Sequence, residues 1–109
     1  MNKLKNTNNE PMQMFDPPHP GEILKEMYLK PLNISVTAFA ENIGVRRATV
    51  SSLINKKSSI TPMMAVRLGK ALKTTPDLWL GLQMEYDLWQ IKQETRNNKA
   101  IENINTLIA

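Results

Sequence analysis

Residues 36–55, VTAFAENIGVRRATVSSLIN, constrain the fold of this chain more than any other segment. Phe39, Ala40 and Ile43 recur at helical spacing, and Ala40 is small where a second helix has to cross close to the first. Gly44 supplies a left-handed backbone that a β-carbon would penalise, and Val45 fills the corner. Beyond the turn, Val50, Leu53 and Ile54 repeat at i, i+3 and i+4 and so face inward, leaving Arg46, Arg47, Ala48, Ser51, Ser52 and Asn55 toward solvent. The spacing predicts a helix, a glycine-broken turn and a second helix with a cationic, small-polar outer face. Such a unit lays its second helix along the DNA major groove, which is about 12 Å wide and admits a helix with its side chains. An ordinary helical hairpin with a solvated arginine pair shares the core pattern, but the agreement of turn, core and surface favours the DNA-reading form.

The rest of the chain reads as all-α, because no segment alternates apolar and polar residues long enough for a strand. Pro17, Pro18, His19 and Pro20 form an extended lead, and Pro20 opens a helix to about residue 29 with Ile23, Leu24 and Met27 inward, ended by Pro31. Ser35 caps the second helix, and the third runs from about Arg47 to Asn55. Thr61 and Pro62 open a fourth, with Ala65, Leu68 and Leu72 inward; Thr75, Pro76 and Asp77 open a fifth in the same way. On the fifth, Trp79, Leu82, Tyr86 and Trp89 share one side while Leu80, Met84, Leu88 and Ile91 cluster opposite. One side covers the domain; the other awaits either a second copy of the chain or the tail, where Ile101, Ile104 and Ile108 keep helical spacing. The expected organisation is a flexible segment 1–16, a five-helix domain 17–92 and a partly helical tail 93–109.

With 109 residues the chain holds one domain, and the absence of cysteine excludes disulfides and thiolate-bound zinc. Residues 1–14 lack the apolar run of a signal peptide or membrane span, which points to a cytoplasmic protein with no membrane role. The net charge is +4, and within residues 36–60 Arg46, Arg47, Lys56 and Lys57 stand against Glu41 alone, so positive charge gathers on the proposed reading unit. Arg47 is the candidate for a bidentate contact to guanine, with Ala48 against a thymine methyl and Ser52 lending a weaker polar contact. Arg46, Ser51, Asn55, Lys56 and Lys57 suit phosphates, and Thr37 adds a hydroxyl or amide at the positive start of its helix. No catalytic constellation is visible. His19 is the only histidine and suits capping or packing, Glu85 and Asp87 point apart on a helix, and four isolated glycines make no phosphate loop. Neither a cofactor nor a metal is expected.

The segment Pro18-His19-Pro20-Gly21-Glu22-Ile23-Leu24, the two-helix unit, residues 60–68 (ITPMMAVRL) and residues 75–83 (TPDLWLGLQ) with Tyr86-Asp87-Leu88-Trp89 together resemble the HigA antidotes of toxin-antitoxin modules. The resemblance covers about residues 17–90. It implies an Xre-type, repressor-like helical fold, a homodimer held through the C-terminal helix, binding to the operator of its own operon, and neutralisation of a small ribonuclease toxin called HigB. A plain Xre-type regulator without a toxin and a helical protein-interaction module remain as alternatives. The chain departs from the family at Arg46, where Ser or Thr is usual, so the third helix lacks a side-chain cap; Ser52 stands where Arg is common. A basic toxin calls for acidic and apolar groups away from the DNA face, which Glu22, Ile23 and Glu26 on the first helix supply, with Phe15 and Asp16 ahead of the prolines. Lys25 and Lys30 would equally make that face a balanced, solvated one.

Overall fold

His19 starts the first helix by presenting its ring nitrogen Nδ1 to the Gly21 N–H at 2.9 Å, while Pro20, which has no N–H to leave unpaired, occupies the first turn. In a computed structural model of the chain, which describes residues 16–95 and 99–109, this helix (α1) is α-helical over Pro20–Ile23 and continues as a π-helical stretch over Leu24–Leu29. The Lys30 N–H bonds the Lys25 carbonyl at 3.0 Å, five residues back, and the wider turn brings Leu24 and Leu29 to the core together. It also rotates Met27 outward to 62% exposure, against the inward position expected from a 3.6-residue repeat. The helical element ends at Leu29, ahead of Pro31 as expected, and a hydrogen-bonded turn carries the chain on. The Leu32 N–H still reaches the Tyr28 carbonyl at 3.1 Å, and the chain leaves at Asn33, left-handed at φ 56°, with the Ile34 N–H on the Leu29 carbonyl at 2.9 Å.

The next three helices start and stop where their caps dictate. α2 is Val36–Ile43, with Ser35 Oγ accepting from the Ala38 N–H at 3.0 Å; it ends at Gly44, φ 77°, whose successor Val45 donates to the Ala40 carbonyl at 3.0 Å. α3 is Arg47–Ile54 and closes through Lys56, left-handed at φ 62°, with the Lys57 N–H on the Ser52 carbonyl at 2.8 Å. α4 is Pro62–Leu72, capped by Thr61 and stopped by Lys73 at φ 55°. α5, Pro76–Thr95, opens with Thr75 Oγ1 accepting from the Leu78 N–H at 3.1 Å, and a short α6, Lys99–Glu102, follows in the tail. All described elements are helical.

Leu24, Leu29, Phe39, Ala40, Ile43, Val50, Leu53, Ile60, Ala65, Leu68 and Trp79 form one buried cluster between the helices. α1 crosses α3 with no room to spare: a β-carbon on Gly21 would stand 1.8 Å from the Leu53 carbonyl oxygen. α5 closes the domain with Trp79 buried and Leu82, Tyr86 and Trp89 half-buried, Trp79 Nε1 donating to Thr74 Oγ1 at 2.7 Å. Among the described residues nothing covers its other side, with Met84 at 60%, Leu88 at 54% and Ile91 at 49% exposure and Leu80 half-buried. The tail does not fold back over that face, since Ile101, Ile104 and Ile108 are themselves exposed.

Candidate nucleic-acid interface

Arg47, the first residue of α3, and Thr37, in the first turn of α2, were each singled out as DNA contacts, and the fold joins them. Arg47 Nε donates to Thr37 Oγ1 at 3.1 Å across the turn. The bond leaves the two terminal Nη groups of the guanidinium as an outward fork, the form that matches the O6 and N7 edge of guanine. It also leaves the Thr37 hydroxyl proton available to an acceptor such as a phosphate oxygen.

The other candidates line the same outward side. Arg46 occupies the N-cap position in extended conformation, φ −75° and ψ 151°, and its side chain makes no cap hydrogen bond, as expected from its replacement of the usual Ser or Thr. Ala48 and Asn55 are exposed, while Ser51 and Ser52 are half-buried. Asn55 Nδ2 turns back to the Ser51 carbonyl at 2.9 Å and to Ser51 Oγ at 3.4 Å, so this end of α3 closes on itself. Lys56 and Lys57 project from the left-handed turn beyond α3, both exposed.

What holds that turn in place was not visible in local spacing. His19 lies buried under the loop after Lys57, hydrogen-bonded to the Ser58 backbone and packed edge-on against Tyr86 with ring centroids 4.8 Å apart. Burial lowers the His19 pKa from its ordinary value of 6.5, and Lys56 pushes the same way, while the Ser58 bond, Asp87 and Glu22 oppose the shift. Buried Gln83 of α5 accepts from the Ile60 N–H at 2.7 Å and donates to Asp87 Oδ1 at 2.9 Å, pinning the loop's far end. Between these anchors an open cleft of about 470 Å³ is lined by His19, Lys56, Lys57, Tyr86 and Asp87 among others. A second long-range tie, from Arg67 Nη1 of α4 to the Ile43 carbonyl, steadies the end of α2 just before the turn. A lone His, Gln or Arg carries no periodic signal of these partners, because each reaches a group that only the tertiary approach brings near.

On α1 and the lead into it, Glu22, Glu26 and Asp16 are exposed and Ile23 is half-buried; Phe15, and the flexible segment expected ahead of it, lie outside the described residues. Glu26 pairs with Lys30 at 3.2 Å, an exposed i,i+4 pair of the kind worth about 0.3–0.5 kcal/mol. Among the described residues no group of His, Asp and Glu could hold a metal, and no helix is long and apolar enough to cross a membrane.

Sequence comparison matches residues 24–79 to the helix-turn-helix family HTH_3. An HTH-type transcriptional regulator of Haemophilus influenzae is 40% identical over 93 residues, 85% of this chain and 87% of that protein. The antitoxin HigA-1 of Vibrio cholerae is 46% identical over 77 residues, 71% of this chain and 69% of its own length. Among solved structures, the Pseudomonas aeruginosa antitoxin HigA with the higBA promoter superposes with a TM-score of 0.73 at 35% identity, covering 84% of this chain and 99% of the other.

Proposed function

Because the chain belongs to the helix-turn-helix family of DNA-binding regulators that includes HigA antitoxins, we propose that it is itself an antitoxin. In this reading it binds the operator of its own operon as a homodimer in the cytoplasm and neutralises a HigB-type ribonuclease toxin. The Thr37–Arg47 bond is the observation that carries the DNA half: it fixes an arginine fork at the N-terminal end of α3, on the side free of the core. Ala48 and Ser52 read the groove beside Arg47, and Arg46, Ser51, Asn55, Lys56 and Lys57 hold phosphates at its rim. The promoter-bound Pseudomonas aeruginosa HigA supports carrying operator binding over to this chain. Leu80, Met84, Leu88 and Ile91 form the seam of an isologous dimer, which would set two α3 helices about 34 Å apart on an inverted repeat. The chain works by binding, and we assign it no reaction.

The toxin half rests on kinship. Glu22, Ile23 and Glu26 of α1, with Asp16 and Phe15, are the proposed toxin contacts, and the outward turn of Met27 adds an apolar side chain beside Glu26. A plain regulator is the second reading, favoured by the Haemophilus influenzae relative. Titrating labelled operator and random DNA with wild type, Arg47→Ala and Lys56→Ala tests the DNA half. Arg47→Ala is expected to cost about 1–3 kcal/mol on the operator and relax base preference at one position. Lys56→Ala weakens all sequences alike and flattens the salt slope by about one unit. Equal losses for Arg47→Ala on operator and random DNA would refute the assignment. Adding a HigB-type toxin to wild type and to Glu22→Lys/Glu26→Lys separates the antitoxin from the plain regulator.

A further inference from the structure

His19 ties three parts of the fold together. It is the only histidine of the chain and is 3% exposed. Its Nδ1 accepts the Gly21 N–H at 2.9 Å in the first turn of α1, so that nitrogen carries no proton; the proton of the neutral ring sits on Nε2, the nitrogen left to donate to the Ser58 backbone beyond Lys57. The ring meets Tyr86 of α5 edge-on, with centroids 4.8 Å apart and the planes at 77°. The charged groups that face it are Glu22 from α1, Lys56 from the loop and Asp87 from α5, and Asp87 already accepts from Gln83 at 2.9 Å. The ring also forms part of the wall of the open cleft of about 470 Å³, which gives protons a path to it from solvent.

Resting on the DNA reading above, we propose that His19 is a proton-sensitive positioning residue for the phosphate grip: protonation unlatches the loop that carries Lys56 and Lys57, and affinity for DNA falls. A proton on Nδ1 would set two N–H donors face to face over 2.9 Å. Gly21 has no room to retreat, since the Leu53 backbone stands so close that a β-carbon would meet its carbonyl oxygen at 1.8 Å. The ring must therefore swing out, giving up Ser58 and the Tyr86 contact together. What remains at the near end of the loop is the Lys56 N–H on the Leu53 carbonyl at 3.1 Å and the Lys57 N–H on the Ser52 carbonyl at 2.8 Å. Those bonds depend on Lys56 keeping φ 62°, a left-handed conformation that a lysine holds only while its surroundings enforce it. With the latched ring held below the ordinary pKa of 6.5 and the released ring at that value, the latch has its full strength above pH 6.5 and weakens as pH falls through the lowered value. A histidinium that stayed in place would do the opposite, adding a third cation beside Lys56 and Lys57 and strengthening binding.

Titrating labelled operator and random DNA with the full-length chain from pH 7.5 to pH 5, at several salt concentrations, tests it. Wild type is expected to lose at least about fivefold in affinity for both DNAs, with a salt slope shallower by about one to two units at pH 5 as one or both lysine contacts are given up. His19→Asn keeps a side-chain acceptor for the Gly21 N–H but does not titrate, so its affinity should change by less than about twofold over the same range. A single histidine also makes the proton visible by NMR: the His19 Hε1 resonance and the Lys57 and Ser58 amides should shift with one midpoint, shared with the loss of affinity, a coincidence that packing alone would not produce. Parallel profiles for wild type and His19→Asn, loop amides that ignore the His19 titration, or affinity that rises as pH falls would each overturn the proposal. So would loss of the helical circular-dichroism signal over the same range, which marks global acid unfolding in place of a local latch. If wild type binds no DNA even at pH 7.5, the DNA reading fails, while the shared titration of His19 and the loop amides still judges the latch by itself.

Discussion

Replacing Gly21 by alanine should be the most damaging single-methyl change in this chain. The added carbon would stand 1.8 Å from the Leu53 carbonyl oxygen, 2.6 Å from the Leu53 carbonyl carbon and 3.1 Å from the Ile54 Cα, all of them backbone atoms of α3. An ordinary carbon–oxygen contact is about 3.3–3.6 Å, so α1 and α3 must part by about 1.5 Å. No side chain can swing aside to absorb that. Overpacking costs about 1–3 kcal/mol, and a rigid backbone obstacle puts this site at the upper end. Alanine returns about 0.5–1 kcal/mol through lower chain entropy in the unfolded state. The net loss should be about 2 kcal/mol, a fall in Tm of about 8–16 °C for a domain of this size. Urea unfolding followed by circular dichroism measures it, with Gly81→Ala as the matched control, since a β-carbon there meets nothing within 4 Å. Because Leu53 belongs to α3, operator affinity should fall too. If Gly21→Ala stays within 0.5 kcal/mol of wild type, the close crossing of α1 over α3 is wrong.

Gln83→Leu preserves bulk but removes the acceptor for the Ile60 N–H, and an orphaned buried donor should cost about 1–3 kcal/mol in the same unfolding assay. Loss of operator affinity beyond that of the Gly81→Ala control would show that the loop carrying Lys56 and Lys57 relaxes with it. The depressed His19 pKa carries a pH dependence: a folded-state pKa below the unfolded 6.5 means that stability is fully present above 6.5 and declines as pH falls through the lowered value. Protonation would also turn Nδ1 from acceptor to donor against the Gly21 N–H. Tm measured from pH 7.5 down to 5 should therefore fall more steeply for wild type than for His19→Asn; parallel curves would remove His19 from this role.

The two-helix unit could be read from the chain because its determinants are local. Phe39, Ala40, Ile43, Val50 and Leu53 repeat with the helical period, Gly44 marks a left-handed turn that favours glycine, and Ser35, Thr61 and Thr75 cap helices within three residues of themselves. Met27 misled for the converse reason. A π-helical stretch changes the period without changing the residue types, and Lys30, bonding five residues back, looks like any helical lysine. Gly21, Arg67 and Gln83 were hidden for another reason: their partners lie more than twenty residues away along the chain and are mostly backbone atoms. Thr37 and Arg47 fall between the cases. Each was legible as a polar residue on the right face, but the bond between them depends on how tightly α2 and α3 fold about Gly44.

α5 has a mechanical consequence. Its inner side touches both anchors of the lysine loop, through Gln83 on Ile60 and Tyr86 on His19, while Met84 and Leu88 on its outer side belong to whatever docks there. A slide or tilt of this one helix would be felt at Lys56 and Lys57 without any intermediate element. Thermodynamic reciprocity then ties the two ends: a partner that grips α5 and thereby changes DNA affinity by some factor must itself be gripped more or less tightly, by that same factor, when DNA is bound. Occupancy of one surface becomes legible at the other, so a single half-site, too short to hold two subunits, would still report on the state of α5.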